Sequence, residues 1–405
     1  MLAHESLLHL KSHTGFQPIG DPVGNLTLGR GQLNGKPLHV AIVEARIASG
    51  SLGAKESDKL ASLFKVVAAQ KSPLLMYLDS AGARVSEGLP ALGAFRHMYR
   101  AALTMAASGA PVAAVCGANC FGGASMLASI AGTRYFSNNT RLAMSGPAIL
   151  AQSAGVSVLD EMFQAMSQAA IGKDSRLKLG AGNAPMDKSL AVPAGDNPAA
   201  RHAELGVRLS TISSGKIGSG VEKIERKDLA KLYPEGYELQ ERGGVISGVA
   251  RHQGNQIALI GVINGKLMGA AAAWAMADAA WKHAVNPPTG LHVLIDCESH
   301  ATSMDDERVM LSAYLANLAA ALHALGRAGT LIETTVLGKL GGGVYVALAA
   351  PSEQVNLVYG THIQLLPGQA IASILGDSAP DKFEFADYAK ARVADQEFKL
   401  GLVDF

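Results

Sequence analysis

The sequence predicts an α/β protein built from two tandem domains of one architecture, and three observations carry that prediction. Short apolar runs ending in clusters of Gly, Ala, Ser and Asp alternate with stretches of helical period along most of the chain. The order and spacing of these runs recur in the second half with little residue identity, as in an internal duplication. Finally, 405 residues at about 150 per domain amount to between two and three folding units.

In chain order, Leu38 to Ala45 reads as a strand. Ser49-Gly50-Ser51-Leu52-Gly53 then turns into a helix over Glu56 to Gln70, whose Leu60, Leu63, Phe64 and Val67 fall on one face. Leu74 to Leu78 is a buried strand ending in the small-residue loop Asp79 to Arg84. A helix follows from about Leu89 to Ser108, stopped by Gly109-Ala110-Pro111. Val112 to Val115 is the next strand, Gly117 to Gly123 a second glycine-rich loop, Ala124 to Ala131 a short helix and Thr133 to Phe136 a strand. The Gly, Pro, Asp and Asn of Gly172 to Pro198 read as a surface excursion or linker, and Arg226 to Glu238 is charged. The domain boundary is placed between about 205 and 240, giving domains 1–215 and 216–405.

The second half repeats this grammar. Val245 to Arg251 and Gln256 to Ile263 form a hairpin, Ala270 to His283 a helix, and Leu291 to Ile295 a strand ending in Asp296 to Ala301. A helix from about Met304 to Gly326, a strand Leu331 to Leu337, the loop Gly338 to Gly343, a short helix and a strand Gln354 to Val358 complete it.

Composition excludes several classes. With 35 Lys and Arg against 34 Asp and Glu, no global field attracts nucleic acid or an anionic membrane. Cys116, Cys120 and Cys297 show no metal-ligand spacing and read as reduced, buried residues. The uncharged stretch between Arg100 and Arg134 is long enough to mimic a membrane span, but Pro111 and its glycines favour a buried helix followed by a buried strand. The first residues interrupt their apolar stretches with His, Glu and Lys, so the expected location is cytoplasmic. GxxxxGK[ST], GxSxG, GxGxxG and HExxH are all absent, which leaves nucleotide, serine-hydrolase and zinc readings without an anchor.

Each half therefore places two small-residue loops after buried strands. Such loops expose backbone N–H groups, and two that converge can hold a developing oxyanion. Removing or transferring a carboxylate alpha to a thioester carbonyl leaves an enolate whose oxygen needs that support. Tight packing at strand-to-helix turns is the other use of such glycines. Two uses fit Arg84: holding a carboxylate or phosphate, or bridging to Glu87 or Asp79. His300 fits as a donor to an oxyanion, as the acid protonating a carbanion, or as a solvent-facing loop residue. Asp305 to Arg308 supplies the acidic first turn of a helix, and Ser145-Gly146-Pro147 either lines an acyl pocket or makes a turn.

Asp79 to Gly88 resembles the small-Gly-Gly-Ala-Arg signature of carboxyltransferase beta subunits, as does Cys120-Phe121-Gly122-Gly123-Ala124-Ser125. Arg141 to Pro147, with Gln152 and Gly155, looks closer still to the beta subunit of malonate decarboxylase, and Asp296 to Glu307 with Gly338 to Gly343 resembles that enzyme's gamma subunit. The resemblance implies two tandem crotonase-like ββα-spiral domains and an active site formed where a beta-like half faces a gamma-like half. It also implies a malonyl thioester substrate, carried by acyl carrier protein on a phosphopantetheine-type arm or by coenzyme A. By position it makes Gly82 and Ala83 with Gly122 and Gly123 the first-half oxyanion hole, and Gly342 and Gly343 the second-half one. Joined by His300 from the loop reading, these are the expected catalytic residues, and Arg84, Ser80, Ser145, Gly146, Ser299 and Gly341 of the same loops are the expected substrate-binding residues. The sequence departs from the family in carrying both halves on one chain, in trimming its larger subunits, and in placing Ala81 at the first glycine of the usual pair. The cysteine quartet of bacterial acetyl-CoA carboxyltransferase beta chains is absent.

The function this predicts is malonyl-thioester decarboxylation or carboxyl transfer by enolate stabilisation, with no covalently bound cofactor and no metal. Its branch is set by whether biotin on a partner takes the CO₂, and the gamma-like half favours decarboxylation. A biotin carrier or other decarboxylase subunits and a homo-oligomer are the expected partners. Two alternatives stand beside it. A crotonase-type hydratase or isomerase would use Glu87 or Glu161 as base, and a non-catalytic scaffold would only bind a carrier protein.

Overall fold

The computed structural model describes residues 1–156, 159–182, 184–185, 190–193, 197–212, 220–366, 371 and 383–399. The chain divides into two compact units. Unit 1 comprises Met1–Asn197 and Thr302–Ala316, and unit 2 comprises Pro198–Ala301 and Asn317–Phe405.

Among the described residues, unit 1 is built on an 8-stranded sheet. Strand Leu26–Leu33 pairs antiparallel with Lys36–Val43, and the following strands, Leu74–Ser80, Val112–Phe121 and Thr133–Phe136, add in parallel. The parallel strands are covered on both faces, which explains their continuous rather than alternating apolar runs. Helices Ala54–Gln70 and Leu89–Ala107 make the crossovers. The second begins at Gly88, with Pro90 in the first turn where a missing N–H costs nothing. Val40, Ile42, Leu75, Tyr77 and Val115 form the sheet's core with Leu7 and Leu10 of helix Ala3–Thr14. That helix and strand Leu26–Leu33 lie in a stretch for which the sequence pattern assigned no element.

Among the described residues, unit 2 repeats the plan on a 9-stranded sheet. Hairpin Val245–His252 and Asn255–Val262 leads into helix Ala270–His283, then parallel strands Gly290–Cys297, Leu331–Gly341 and Gln354–Val358. Its core gathers Ile246, Leu259, Leu294 and Tyr233. Both units are thus hairpin-then-crossover ββα series, the crotonase-like fold class expected. No helix of the described residues is long and apolar enough to cross a membrane; Arg100 to Arg134 is helix, strand and short helix.

Three expectations are corrected. Gly117 to Gly123 and Gly338 to Gly343 are not whole loops, because the strands run on to Phe121 and Gly341. Each continues across an irregularity in the register with its neighbour, where the Asp79 and Asp296 carboxylates accept the Asn119 and Lys339 N–H groups, both at 3.0 Å. Gly117 is required there, since a Cβ would lie 2.6 Å from that of Asp79. The helix expected from Met304 to Gly326 is two helices, Met304–Arg308 and Leu311–Arg327, separated at Met310, whose φ of 67° leaves helical space. The Gly172 to Pro198 stretch contains helix Lys173–Lys178, preceded by helix Glu161–Ile171; residues 183, 186–189 and 194–196 of it lie outside the described residues.

Candidate functional site

The two units present the same pair of turns, and two main-chain hydrogen bonds match between them. In unit 1, Leu52 N–H donates to the Gly82 carbonyl at 2.7 Å and Arg84 N–H to the Leu52 carbonyl at 2.8 Å. In unit 2, Met268 N–H donates to the Ser299 carbonyl at 2.9 Å and Ala301 N–H to the Met268 carbonyl at 2.8 Å. Ser80 pairs in register with Cys120, and Cys297 with Leu340. Ala83 therefore corresponds to His300, Gly122 to Gly342 and Gly123 to Gly343.

A planar trans peptide points its N–H opposite its C=O, so anchoring the carbonyl aims the amide. The Gly82 carbonyl is taken by Leu52, which turns the Ala83 N–H the other way. The Gly122 carbonyl is taken by the Ser125 N–H at 3.1 Å and its hydroxyl at 2.7 Å, which turns the Gly123 N–H out of the helix it begins. Neither the Ala83 nor the Gly123 N–H finds an acceptor among the described residues, and Ala83, Gly122 and Gly123 are half-buried. The turns meet at Gly82, where φ is +92° and a Cβ would stand 3.0 Å from the Gly123 nitrogen and 2.9 Å from the Phe121 oxygen.

Of the four amides singled out in this half, two are committed elsewhere. Gly82 N–H donates to Ser80 Oγ at 3.1 Å, and Gly122 N–H to the Ala143 and Met144 carbonyls, both at 3.1 Å. Ser80 is fully buried and shapes the turn. Arg84 is held by Glu56, by Glu87 at 2.7 Å and by the Ser51 carbonyl at 2.8 Å; Asp79 is not its partner. Glu87 also accepts the Ala54 N–H at 2.8 Å, so this ion cluster pins the turn to the start of helix Ala54–Gln70. Glu161 is exposed at the start of its helix. Gly146 packs its backbone against the Phe121 ring, which a Cβ would meet at 3.2 Å. Ser145 is buried, and its Oγ has no partner among the described residues.

In unit 2 the corresponding turn is filled. His300 is buried, and its Nδ1 accepts the Gly343 N–H at 3.2 Å and lies 3.3 Å from Ser299 Oγ. Burial pushes its pKa down to about 4, which keeps the imidazole neutral and Nδ1 an acceptor. A Cβ on Gly342 would come within 2.6 Å of both His300 Nδ1 and Ser299 Oγ, so glycine is what admits the ring. Gly341, Gly342 and Gly343 are buried, and Gly341 pairs with Gln364.

Two buried charges beside Ser145 and Leu142 were not singled out. Glu307, read as part of an acidic first turn, faces inward in unit 1: its Oε1 accepts the Ser145 N–H at 2.7 Å and its Oε2 the Met144 N–H at 3.2 Å. Arg176 is also fully buried, and its Nε donates to the Leu142 carbonyl at 2.8 Å. Burial raises the Glu307 pKa to about 7 against the opposing pull of Arg176 and the two amides. Among the described residues no group of three or more His, Cys, Asp or Glu side chains could hold a metal ion.

Residues 9–172 match the carboxyl transferase domain family. Over 164 residues the chain is 26% identical to the methylmalonyl-CoA carboxyltransferase 12S subunit of Propionibacterium freudenreichii subsp. shermanii, covering 40% of this chain and 31% of that protein. Over 98 residues it is 37% identical to the acetyl-coenzyme A carboxylase carboxyl transferase subunit beta 1 of Roseiflexus castenholzii, covering 24% of this chain and 33% of the relative. The matches thus span about a third of these relatives' lengths. Among solved structures, transcarboxylase 12S aligns at TM-score 0.39 and 19% identity over 99% of this chain and 87% of that one. A Pseudomonas malonate decarboxylase hetero-tetramer aligns at TM-score 0.46 and 21% identity over 53% and 91%. The sequence matches support the carboxyltransferase relationship for the stretch they cover.

Proposed function

We propose that unit 1 carries the thioester-enolate site of an acyl-CoA carboxyltransferase. The observation that carries this reading is the uncommitted pair of amides, Ala83 N–H and Gly123 N–H, side by side on a half-buried surface. In the reaction, the bond between the α-carbon and its carboxylate breaks. The electron pair passes into the enolate, and the two amides take up the charge on the thioester oxygen. A ureido nitrogen of biotin on a partner bonds to the carbon dioxide while its N–H proton passes to the α-carbon, and in the reverse direction the α-proton returns to that nitrogen as the carboxyl group leaves it. Removal of one such donor costs about a hundredfold to a thousandfold in turnover in hydrolases, which sets the scale. The relatives' names support coenzyme A as the carrier of the acyl group.

A second reading, decarboxylation of a malonyl thioester on coenzyme A or a carrier protein, is favoured by one observation. Biotin carboxylation builds charge on a second oxygen, that of the ureido group, and needs a second set of donors. The equivalent turn of unit 2 has its Gly343 N–H occupied by His300. Release of free CO₂, with the carbanion taking a proton from water, needs only the first turn. Incubation with malonyl-CoA, methylmalonyl-CoA and malonyl carrier protein, each with and without biotin, separates the readings. Biotin-dependent loss of the thioester carboxylate establishes the first and biotin-independent CO₂ release the second. Inertness toward all three substrates overturns both and leaves a scaffold.

A further inference from the structure

The 142–145 run of unit 1 is gripped from beneath by two buried charges that the proposed chemistry does not use. Arg176 holds the Leu142 carbonyl, and Glu307 holds the Met144 and Ser145 amides. The carbonyls of Ala143 and Met144 are the acceptors of the Gly122 N–H. Gly122 has φ 53° and ψ −129°, a combination open essentially to glycine, so its peptide planes have no steric preference that keeps them in place. What fixes them is hydrogen bonding at both ends: the N–H to Ala143 and Met144, the carbonyl to Ser125. Resting on the enolate-site reading, we propose that Glu307 is a positioning residue for the amide pair: by accepting the Met144 and Ser145 N–H groups it fixes the carbonyls that hold Gly122, and so aims the Gly123 N–H at the thioester oxygen.

Chemistry supports a carboxylate in this place. Two backbone donors converge on it, and only an ionised carboxyl offers two full acceptors without a competing proton. The charged groups acting on Glu307 are Arg176 of helix Lys173–Lys178, which favours ionisation, and its neighbour Asp306, which opposes it. Protonation puts a hydrogen on one oxygen and sets it against an amide N–H. The clamp therefore loosens as pH falls through the neutral range.

The test pairs Glu307→Gln with Glu307→Asp and reads amide hydrogen exchange together with turnover. Glu307→Gln presents an NH₂ to one of the two amides. Exchange at Met144, Ser145 and Gly122 should accelerate about tenfold while exchange in strand Gly290–Cys297 stays as it was. Turnover at saturating thioester should fall about tenfold with KM moving less than about twofold, since aim rather than affinity is lost. The wild-type turnover should decline below about pH 7 and the Glu307→Gln profile should be flat there. Glu307→Asp, shorter by one methylene, should lie between the two in both readouts, and serves if the glutamine variant does not fold. Accelerated exchange with unchanged turnover and pH profile reduces Glu307 to a structural role, and unchanged exchange at Gly122 overturns the proposal outright. If the wild type turns over no thioester, the enolate reading fails while the Gly122 exchange still judges the clamp.

Discussion

The two copies of the glycine turn share a backbone path and differ in several side chains, one of which decides what an amide meets. Where unit 1 has Ala83, unit 2 has His300, and the imidazole reaches the amide that in unit 1 stays uncommitted. Three backbone devices around that position are shared: the carboxylate under the strand irregularity, the parallel bridge to Leu52 or Met268, and the left-handed glycine before the helix. The repeated turn thus presents the same two amides in each unit, and the residue beside them decides whether both stay uncommitted or one is taken by a neighbour. A methyl group leaves them open, whereas a buried neutral imidazole satisfies one.

The comparison can be broken most sharply at Gly122. Glycine 122→alanine adds a Cβ with ordinary clearance, its nearest atom the Ala81 oxygen at 3.5 Å, yet forces the backbone from its positive φ. Rotation of the Gly122–Gly123 peptide should cost about a hundredfold in turnover, read in steady-state kinetics on protein whose circular dichroism is unchanged. Next comes the charge beneath the turn. Below the ordinary carboxylate pKa both the folded and unfolded states carry the Glu307 proton; as pH rises the unfolded chain ionises first, and the folded state loses stability until its own pKa of about 7 is passed. Between about pH 4.5 and 7 the wild type should lose on the order of 3 kcal/mol relative to Glu307→Gln in denaturant titrations, a cost the positioning role would justify.

Opening the second turn sharpens the contrast. His300→Ala releases the Gly343 N–H and should cost about 1–3 kcal/mol of stability for the donors left unpaired. If an open second turn supports the biotin oxygen, transfer to biotin should rise several-fold over CO₂ release, a ratio read directly with labelled carboxylate. In the wild type, acid should destabilise this turn: the unfolded His takes a proton near its ordinary pKa, the folded one only near 4, so stability is lost as pH falls across that interval. The smallest effect is expected at Ser80→Ala, which leaves the Gly82 N–H without its hydroxyl and should cost about 1 kcal/mol, with turnover down a few-fold.

The buried parallel strands and the repeated turns were legible in the sequence because such strands write continuous apolar runs and positive-φ turns write glycine. Both signals are local. The extent of strands Val112–Phe121 and Leu331–Gly341 was not legible, because Gly117 and Gly338 read as the start of a loop and the pairing that keeps the chain extended beyond them comes from Arg141–Ala143 and His362–Gln364, distant in sequence. Of the site, Gly82, Ala83, Gly122 and Gly123 were marked together, but which amides stay uncommitted depends on carbonyls of Ala143 and Met144 that no motif announces. Glu307 escaped for the same reason: in Asp305-Asp306-Glu307-Arg308 it reads as one more helix-start acid, and what tells it from Asp306, which is buried as well, is its hold on the Met144 and Ser145 amides. Met310 likewise stands just before a long helix, as Gly88 does in the first copy, in a left-handed conformation its side chain gives no reason to expect.

Because Glu307 belongs to Thr302–Ala316, unit 1 closes around residues that leave the ribosome long after Asn197. A polypeptide cut at that point would carry every glycine of the open turn and still lack the carboxylate beneath it. Halves expressed from separate messages should therefore recover their activity only when the later fragment, with 302–316 intact, is supplied to the earlier one.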